Sequence, residues 1–290
     1  MFTSKDVMTL RQQTGAGMMD CKKALIETDG DMEKAVDYLR EKGVATAAKK
    51  ASRIASEGIV YAEIKNGNGV MIEVNCESDF VARGDAFKDF VKEVADYIAE
   101  NDVTSLEDVV AAKGAALTAA IAKIGEKIDI RRYVKISAKD SAVDSYIHMG
   151  GKIGVLVEAS AGASADVIHD VALQIAAARP SYIRTDEVSK AEVDKEMEIL
   201  KAQALNEENP KPLPIIEKMV QGRIKKYYKE VCLLEQDFVK DSSITVSKYL
   251  KDNGDVKILK FVRYEMGEGL EKKADTFVDE IMESVSKVQK

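Results

Sequence analysis

The sequence predicts an α+β protein: a small helical bundle, a two-part core of strands and helices, and a projecting helical hairpin. Three observations predict it. Short amphipathic segments punctuated by glycine fill the first 54 residues. A strand–turn–strand–helix pattern then occurs twice, over 59–99 and again over 146–178. Further on, two helical apolar stripes flank Asn206-Glu207-Glu208-Asn209-Pro210-Lys211-Pro212-Leu213-Pro214, a stretch that holds three of the chain's four prolines.

The chain of 290 residues is long enough for two or three small domains. Hydrophobic residues make up 46% and charged residues 32%, as in a globular protein that stays in water. With 43 Lys and Arg against 50 Asp and Glu the net charge is -7, which argues against an electrostatic grip on nucleic acid. No window approaches the roughly 18 apolar residues of a membrane span, so no membrane association is expected. Residue 1 onward leads straight into a helical pattern, with no signal or transit peptide expected. Cys21, Cys76 and Cys232 are odd in number and far apart, suggesting neither a disulfide framework nor a zinc site. A reduced, cytoplasmic setting is expected.

Ser4 can cap a first helix with Val7 and Leu10 inward. Thr14-Gly15-Ala16-Gly17 turns tightly, because glycine tolerates backbone angles that other residues avoid. A second helix over 18–28 is broken by Asp29-Gly30-Asp31. Asp31 caps a third helix, with Met32, Val36 and Leu39 at helical spacing, which is expected to end at Gly43. Residues 44–53 continue as a basic, alanine-rich helical connector. Met18 and Met19 are adjacent, so they cannot both point into one core, and one is expected on the surface. Lys22 and Lys23 read as a solvated face.

Ile59, Tyr61 and their neighbours alternate as a strand, Asn66-Gly67-Asn68-Gly69 reads as a hairpin turn, and the β-branched run 70–74 reads as a buried strand. A polar turn carrying Asp79 and Phe80 leads into a helix with Phe87, Phe90, Val91, Val94 and Ile98 on its apolar side. Another helix spans 105–123. Ile128, Ile130, Val134 and Ile136 then alternate as a strand, with Arg131-Arg132 inside it. In the second copy, a strand ends at Tyr146 and His148, Met149-Gly150-Gly151-Lys152 turns, a strand returns over 153–157, and a helix over 165–178 stops at Arg179-Pro180. This copy carries Ala159-Ser160-Ala161-Gly162-Ala163 where the first carries Asp79-Phe80.

Val193, Met197, Leu200 and Ala204 line one arm of the hairpin; Ile216, Val220, Ile224, Tyr227 and Val231 line the other. Proline lacks the amide hydrogen, so the segment between them must be a tip. A short helix over 243–252, an alternating strand over 257–264, a break at Gly267-Glu268-Gly269 and a final helix bearing Phe277, Ile281 and Val285 complete the chain. The expected divisions are 1–54 (bundle and connector), 55–139 (first core part), 140–184 with 231–274 (second core part), 185–230 (hairpin) and 275–290 (terminal helix).

Phe80 admits two readings. A staple folded onto the helix below recovers roughly 1.5–3 kcal/mol of burial. A probe would instead insert into a partner, where one central aromatic can carry much of the binding energy. His148, at a hairpin tip, reads as surface structure, and His169 as packed or solvated. With no phosphate loop, no Cys/His cluster and no nucleophile elbow, neither a nucleotide, a metal, a cofactor nor an enzymatic reaction is expected of the chain itself. A protein that works by binding another protein is the class favoured.

Two long runs resemble one family. Leu10-Arg11-Gln12-Gln13-Thr14-Gly15-Ala16-Gly17-Met18-Met19-Asp20-Cys21-Lys22-Lys23-Ala24-Leu25 is similar to the N-terminal signature of bacterial elongation factor Ts. Val74-Asn75-Cys76-Glu77-Ser78-Asp79-Phe80-Val81-Ala82 resembles its second signature, with serine at 78 where threonine is usual. The likeness continues through Ile124-Gly125-Glu126-Lys127-Ile128, Ile153-Gly154-Val155-Leu156-Val157 and Phe261-Val262-Arg263-Tyr264-Glu265-Met266-Gly267-Glu268-Gly269. It implies an N-terminal bundle of the UBA-like type, a core of two similar α+β parts and a coiled-coil hairpin. It also implies one partner, the GTPase elongation factor Tu, whose release of GDP the family promotes. On this resemblance Ser78, Asp79, Phe80 and Val81 form the turn pressed against the GTPase near its magnesium ion. Met18, Met19 and Lys22 contact its nucleotide domain, and Ile124, Gly125 and His148 make further contacts. An adaptor using the bundle alone, or a small-molecule enzyme with a pocket between the two core copies, are the alternatives.

Overall fold

The computed structural model describes residues 2–207 and 211–271. Helices α1 (Ser4–Thr14), α2 (Met18–Glu27) and α3 (Met32–Lys50) enclose Val7, Leu10, Cys21, Ala24, Leu25 and Ala35. The first cap is Thr3 rather than Ser4: its Oγ1 accepts from the Asp6 amide (3.3 Å) while the Asp6 carboxylate accepts from the Thr3 amide (2.6 Å). This reciprocal capping box satisfies two amides that the first turn leaves unpaired. The expected stop at Gly43 is absent, and α3 runs through it to Lys50. Gly43 is buried where a Cβ would lie 3.4 Å from Thr118 Cγ2. Its missing side chain therefore serves close helix packing, not helix termination.

Strands β1 (Glu57–Lys65), β2 (Asn68–Cys76) and β3 (Ile128–Ser137) make an antiparallel sheet in the order β1-β2-β3. Asn66 and Gly67 both have positive φ (52° and 75°), and Lys65 pairs with Asn68, so the hairpin closes on a two-residue turn. Helices α4 (Asp79–Arg83), α5 (Asp85–Glu100) and α6 (Leu106–Ile124) follow β2. Val70, Ile72 and Val74 pack with Phe87, Val91, Val94 and Ile98 of α5 in one core.

The second sheet has the order β4 (Ser141–His148), β5 (Ile153–Ser160), β8 (Ile258–Glu265). It shares a core with α7 (Ala165–Ala178) and α10 (Val246–Asp252), through Val155, Val157, Ile168, Ile175 and Leu250. The two sheets meet through Val60, Met71, Ile136 and Leu156. Strand β2 is thus apolar on both faces, which explains the consecutive apolar residues Val70, Met71 and Ile72. Gly69 and Gly154 sit at this junction: a Cβ on Gly69 would come within 2.5 Å of Val143 Cγ1, and one on Gly154 within 2.9 Å of Met71 Sδ.

Three details depart from the sequence reading. Strand β3 does not keep one alternation, because Glu73 pairs with Arg132 but Val74 with Ile130, leaving Arg131 as a bulge. Ile128 and Ile130 therefore face the α5 core while Val134 and Ile136 face the other sheet. The expected helix over 243–252 starts only at Val246, capped by Thr245. Residues before it form β7 (Asp241–Thr245), paired with β6 (Asp237–Phe238), as suits β-branched Ile244 and Thr245. In the hairpin, α8 (Lys190–Leu205) and α9 (Leu213–Val231) pack Val193, Met197, Leu200 and Ala204 against Ile216, Val220, Ile224 and Tyr228. Tyr228 continues the four-residue step; Tyr227 falls on the flank and donates to Glu192 at 3.0 Å. Pro212 caps α9 and Pro214 lies in its first turn, where no amide hydrogen is needed. The rest of the tip, and the expected terminal helix with Phe277, Ile281 and Val285, lie outside the described residues.

Candidate protein-binding site

Past Cys76, the last β2 residue paired to β3, the chain passes through Glu77 and Ser78 into α4. The expected polar turn is a helix of five residues, capped by Ser78, whose Oγ accepts from the Val81 amide at 3.4 Å. Ala82 is buried and Val81 packs against the first core, while Phe80 is 82% exposed. Successive helix positions turn by about 100°, so a helix that buries positions 81 and 82 turns position 80 outward. The staple reading of Phe80 therefore fails. The Asp79 carboxylate accepts from the Arg83 guanidinium at 2.8 Å, a pair one helical turn apart.

The start of α4 is tied to the loop after α6. Glu126 Oε2 accepts from the amides of Glu77 and Ser78, both at 3.0 Å, and Oε1 accepts from Ser78 Oγ at 2.6 Å. In return Glu77 Oε1 accepts from the Lys127 amide at 2.7 Å. Arg53 reaches Glu77 at 3.3 Å, the Lys127 ammonium donates to the Arg53 carbonyl at 3.0 Å, and Lys50 donates to the Gly125 carbonyl at 2.6 Å. Cys76 lies beneath, its thiol pushed up to about 12 by burial and by the Glu126 charge, so it is no nucleophile at neutral pH.

The β4–β5 tip lies at the same end of the sheets. The Gly151 carbonyl accepts from the Val60 amide at 2.7 Å, and Lys152 pairs at 2.8 Å with Glu57, whose strand partner is Cys76. His148 is exposed at this tip, its Nδ1 3.1 Å from Tyr146 Oη, and Met149 beside it is 71% exposed. The corner thus gathers Ser78, Asp79, Phe80, Val81, Gly125 and His148. Gly125 ends α6 in the left-handed conformation, at φ 85°. Ile124 is there too, but its side chain packs into the first core.

Met18, Met19 and Lys22 belong to the exposed face of the bundle. Both methionines are on the surface, at 40% and 73% exposure, because α2 turns Cys21, Ala24 and Leu25 inward and the small core closes there. The α1–α2 turn sits beside the end of α6, where a Cβ on Gly15 would lie 3.8 Å from Lys123 Cδ.

Glu126, Glu77, Arg53 and Met149 were not singled out from the sequence. Met149 had a readable signal, being a large apolar residue on a glycine turn, as Phe80 is on its own. The acids had none. The junction between the sheets, where an enzyme would need its pocket, is filled by Val60, Met71, Ile136 and Leu156. A cleft of about 610 Å³ lies instead between the bundle and α6, where Gly114, Ala115, Thr118, Ala119 and Ala122 line it. Among the described residues no His, Cys, Asp and Glu cluster could hold a metal ion, and no helix is long and apolar enough to cross a membrane.

The family model for elongation factor TS matches residues 77–268, about two thirds of the chain. The chain belongs to the elongation factor Ts family. Members act as nucleotide exchange factors for the GTPase elongation factor Tu in translation elongation, a family of exchange factors rather than of catalytic enzymes. The match begins at Glu77 and takes in the α4 corner, the strands β4 and β5 that carry the His148 tip, and the helical arms.

Behind the corner of this elongation factor Ts family member lies a buried ionic network. The Glu73 side chain is fully enclosed and accepts from Arg131 (2.9 Å), Arg132 (2.6 Å), the Gly267 amide (2.8 Å) and Asn75 (3.2 Å). Burial opposes its ionisation, but the Gly267 amide, Arg131 and the charge of Arg132 outweigh it and hold the carboxyl below its ordinary range. Arg132 also lies 4.1 Å over the Tyr264 ring, and Arg131 donates to the Glu268 carbonyl. The bulge at Arg131 brings two successive guanidinium groups to one carboxylate, joining β2, β3 and the loop after β8.

Proposed function

We propose that the α4 corner drives GDP release, with Phe80 as the wedge inserted into elongation factor Tu beside its magnesium ion. The observation that carries this reading is an aromatic ring 82% exposed on a helix whose cap is tied down on both sides. Nucleotide in such a GTPase is held by backbone amides, a lysine and a magnesium ion bridging phosphate oxygens. Magnesium demands near-ideal octahedral geometry, so small displacements of its protein ligands weaken it. A factor that binds best to the displaced state lowers GDP affinity, each tenfold needing about 1.4 kcal/mol of coupling. Linkage is reciprocal, so incoming GTP weakens the factor's own hold and completes the cycle.

The other contacts serve as anchors. Met18, Met19 and Lys22 hold the nucleotide domain through a UBA-like bundle (1–54), while Asp79, Val81, Ile124, Gly125 and His148 surround the wedge. The core parts 55–139 and 140–184 with 231–274 set the spacing, and the hairpin (185–230) and the terminal segment (275–290) reach other parts of the partner as a coiled-coil arm and a tail. The setting is cytoplasmic, and neither nucleotide, nucleic acid nor membrane is bound by the chain itself. The test is stopped-flow release of fluorescent GDP from elongation factor Tu, with magnesium and again in excess EDTA. The chain should accelerate release at least about tenfold with magnesium, and by a smaller factor once the metal is stripped. Equal acceleration in both conditions would place the wedge away from the metal; no acceleration would sink the reading altogether.

A further inference from the structure

We infer that Glu126 is the positioning residue of this exchange factor, aiming Phe80 by holding the cap of α4. The inference rests on the reading of Phe80 as the wedge. Helix α4 has five residues, too few to define its own axis, since helices this short are unstable alone. Its direction must come from its anchors. The amides of Glu77 and Ser78 lie beyond the last β2–β3 pair and before the first helical turn, so neither ladder nor helix supplies them a partner. A single carboxylate oxygen, Glu126 Oε2, accepts from both.

The other oxygen acts on the cap itself. Ser78 Oγ donates to Glu126 Oε1 at 2.6 Å and accepts from the Val81 amide. Donating its only proton to Glu126 leaves the hydroxyl lone pairs aimed at the helix. The cap is thereby set by a residue 48 positions away. Glu126 is itself placed by Gly125, whose left-handed backbone ends α6 and sends the chain back toward β2. The bond from the Lys127 amide to Glu77 closes the loop in the opposite direction. Phe80 follows the cap by two residues and is exposed, so little besides this clamp and the inward anchors Val81 and Ala82 fixes where its ring points.

The test uses the full chain and elongation factor Tu loaded with fluorescent GDP, titrated to give the maximal release rate and the half-saturating concentration separately. Glu126→Ala should lower the maximal rate by about tenfold to 100-fold, the range that misplacing a reacting group by about 1 Å produces. Half-saturation should move by less than about threefold, because the remaining contacts persist. Glu126→Gln, which keeps a carbonyl oxygen for the two amides but offers the Ser78 hydroxyl only an NH2 donor, should restore the rate in part, to between the Glu126→Ala value and the parent's. Ser78→Ala should slow release in the same way, while Ser78→Thr, which keeps the hydroxyl, should not.

Phe80→Ala in the Glu126→Ala background should add no further loss, since a misaimed wedge and a missing one are equivalent. Additive losses, or a Glu126→Ala effect confined to half-saturation, would overturn the positioning role. Normal release by Glu126→Ala beside slow release by Phe80→Ala would overturn it while leaving the wedge intact. Normal release by Phe80→Ala would instead remove the wedge reading. Should Glu126→Ala fail to fold, the Ser78 pair decides: equal rates for alanine and threonine would defeat the inference.

Discussion

Truncating Phe80 to alanine should separate stability from function. The ring is 82% exposed, leaving 18% of its surface covered by the protein. Of the roughly 200 Å² that a phenylalanine can bury, about 36 Å² is therefore lost on truncation, worth about 0.9 kcal/mol at about 25 cal/mol per Å². The melting temperature should fall by no more than about 4 °C. The exposed remainder, about 160 Å², is what a partner can cover, and the same coefficient sets an upper bound near 4 kcal/mol, or about a thousandfold in rate if all of it acts in the displaced state. Interface burial delivers only part of such a bound, so a fall in maximal GDP release of about tenfold to 100-fold is expected. Calorimetric melting and stopped-flow release on the same preparation give both numbers. A melt lowered by 10 °C or more with normal release would refute the reasoning, because it would show the ring to be a core staple.

Three other outcomes follow from the packing. Glu73→Ala strands Arg131 and Arg132 beside an empty buried site and should cost about 3–5 kcal/mol, read as a fall of about 10 °C in melting temperature. Because the folded state holds the Glu73 carboxyl below its ordinary range, its contribution is complete above that range and fades as pH falls through the depressed value. Acid titration of stability should therefore be shallower in the variant than in the parent, and equal slopes would contradict the assignment. Gly154→Ala forces a methyl against Val60, Met71 and Ile147 between the sheets and should cost about 1–3 kcal/mol in urea unfolding. Met19→Ala, at a position 73% exposed, should leave stability within about 0.5 kcal/mol yet raise the half-saturating concentration in exchange several-fold; an unchanged titration would take α2 out of the interface.

Much of the local structure is legible in the chain without coordinates. The Asn66-Gly67 turn follows from two residues that tolerate positive φ, and the apolar face of α5 from Phe87, Phe90, Val91, Val94 and Ile98 at helical spacing. The arms of the hairpin follow from their stripes, and α7 from its run over 165–178 ahead of Arg179-Pro180. The signature run around Phe80 points to the family, whose model matches from Glu77 onward. These are all statements about residues within a few positions of one another, where periodicity and backbone preference act directly.

What the sequence by itself leaves open is decided by partners far along the chain. Whether Phe80 is a staple or a probe depends on which face of α4 meets the core, and that is set by Glu126, 48 residues beyond Ser78. Gly43 resembles a helix stop until Thr118 is brought against it. Arg131 and Arg132 resemble a charged interruption in a strand until Glu73 and the Gly267 amide, 194 residues apart, enclose them. A hydrophobic pattern records how much of a side chain is covered but not by what. Glycine, capping serine and buried acid take their meaning from the atom opposite, and only the assembled tertiary structure supplies that atom.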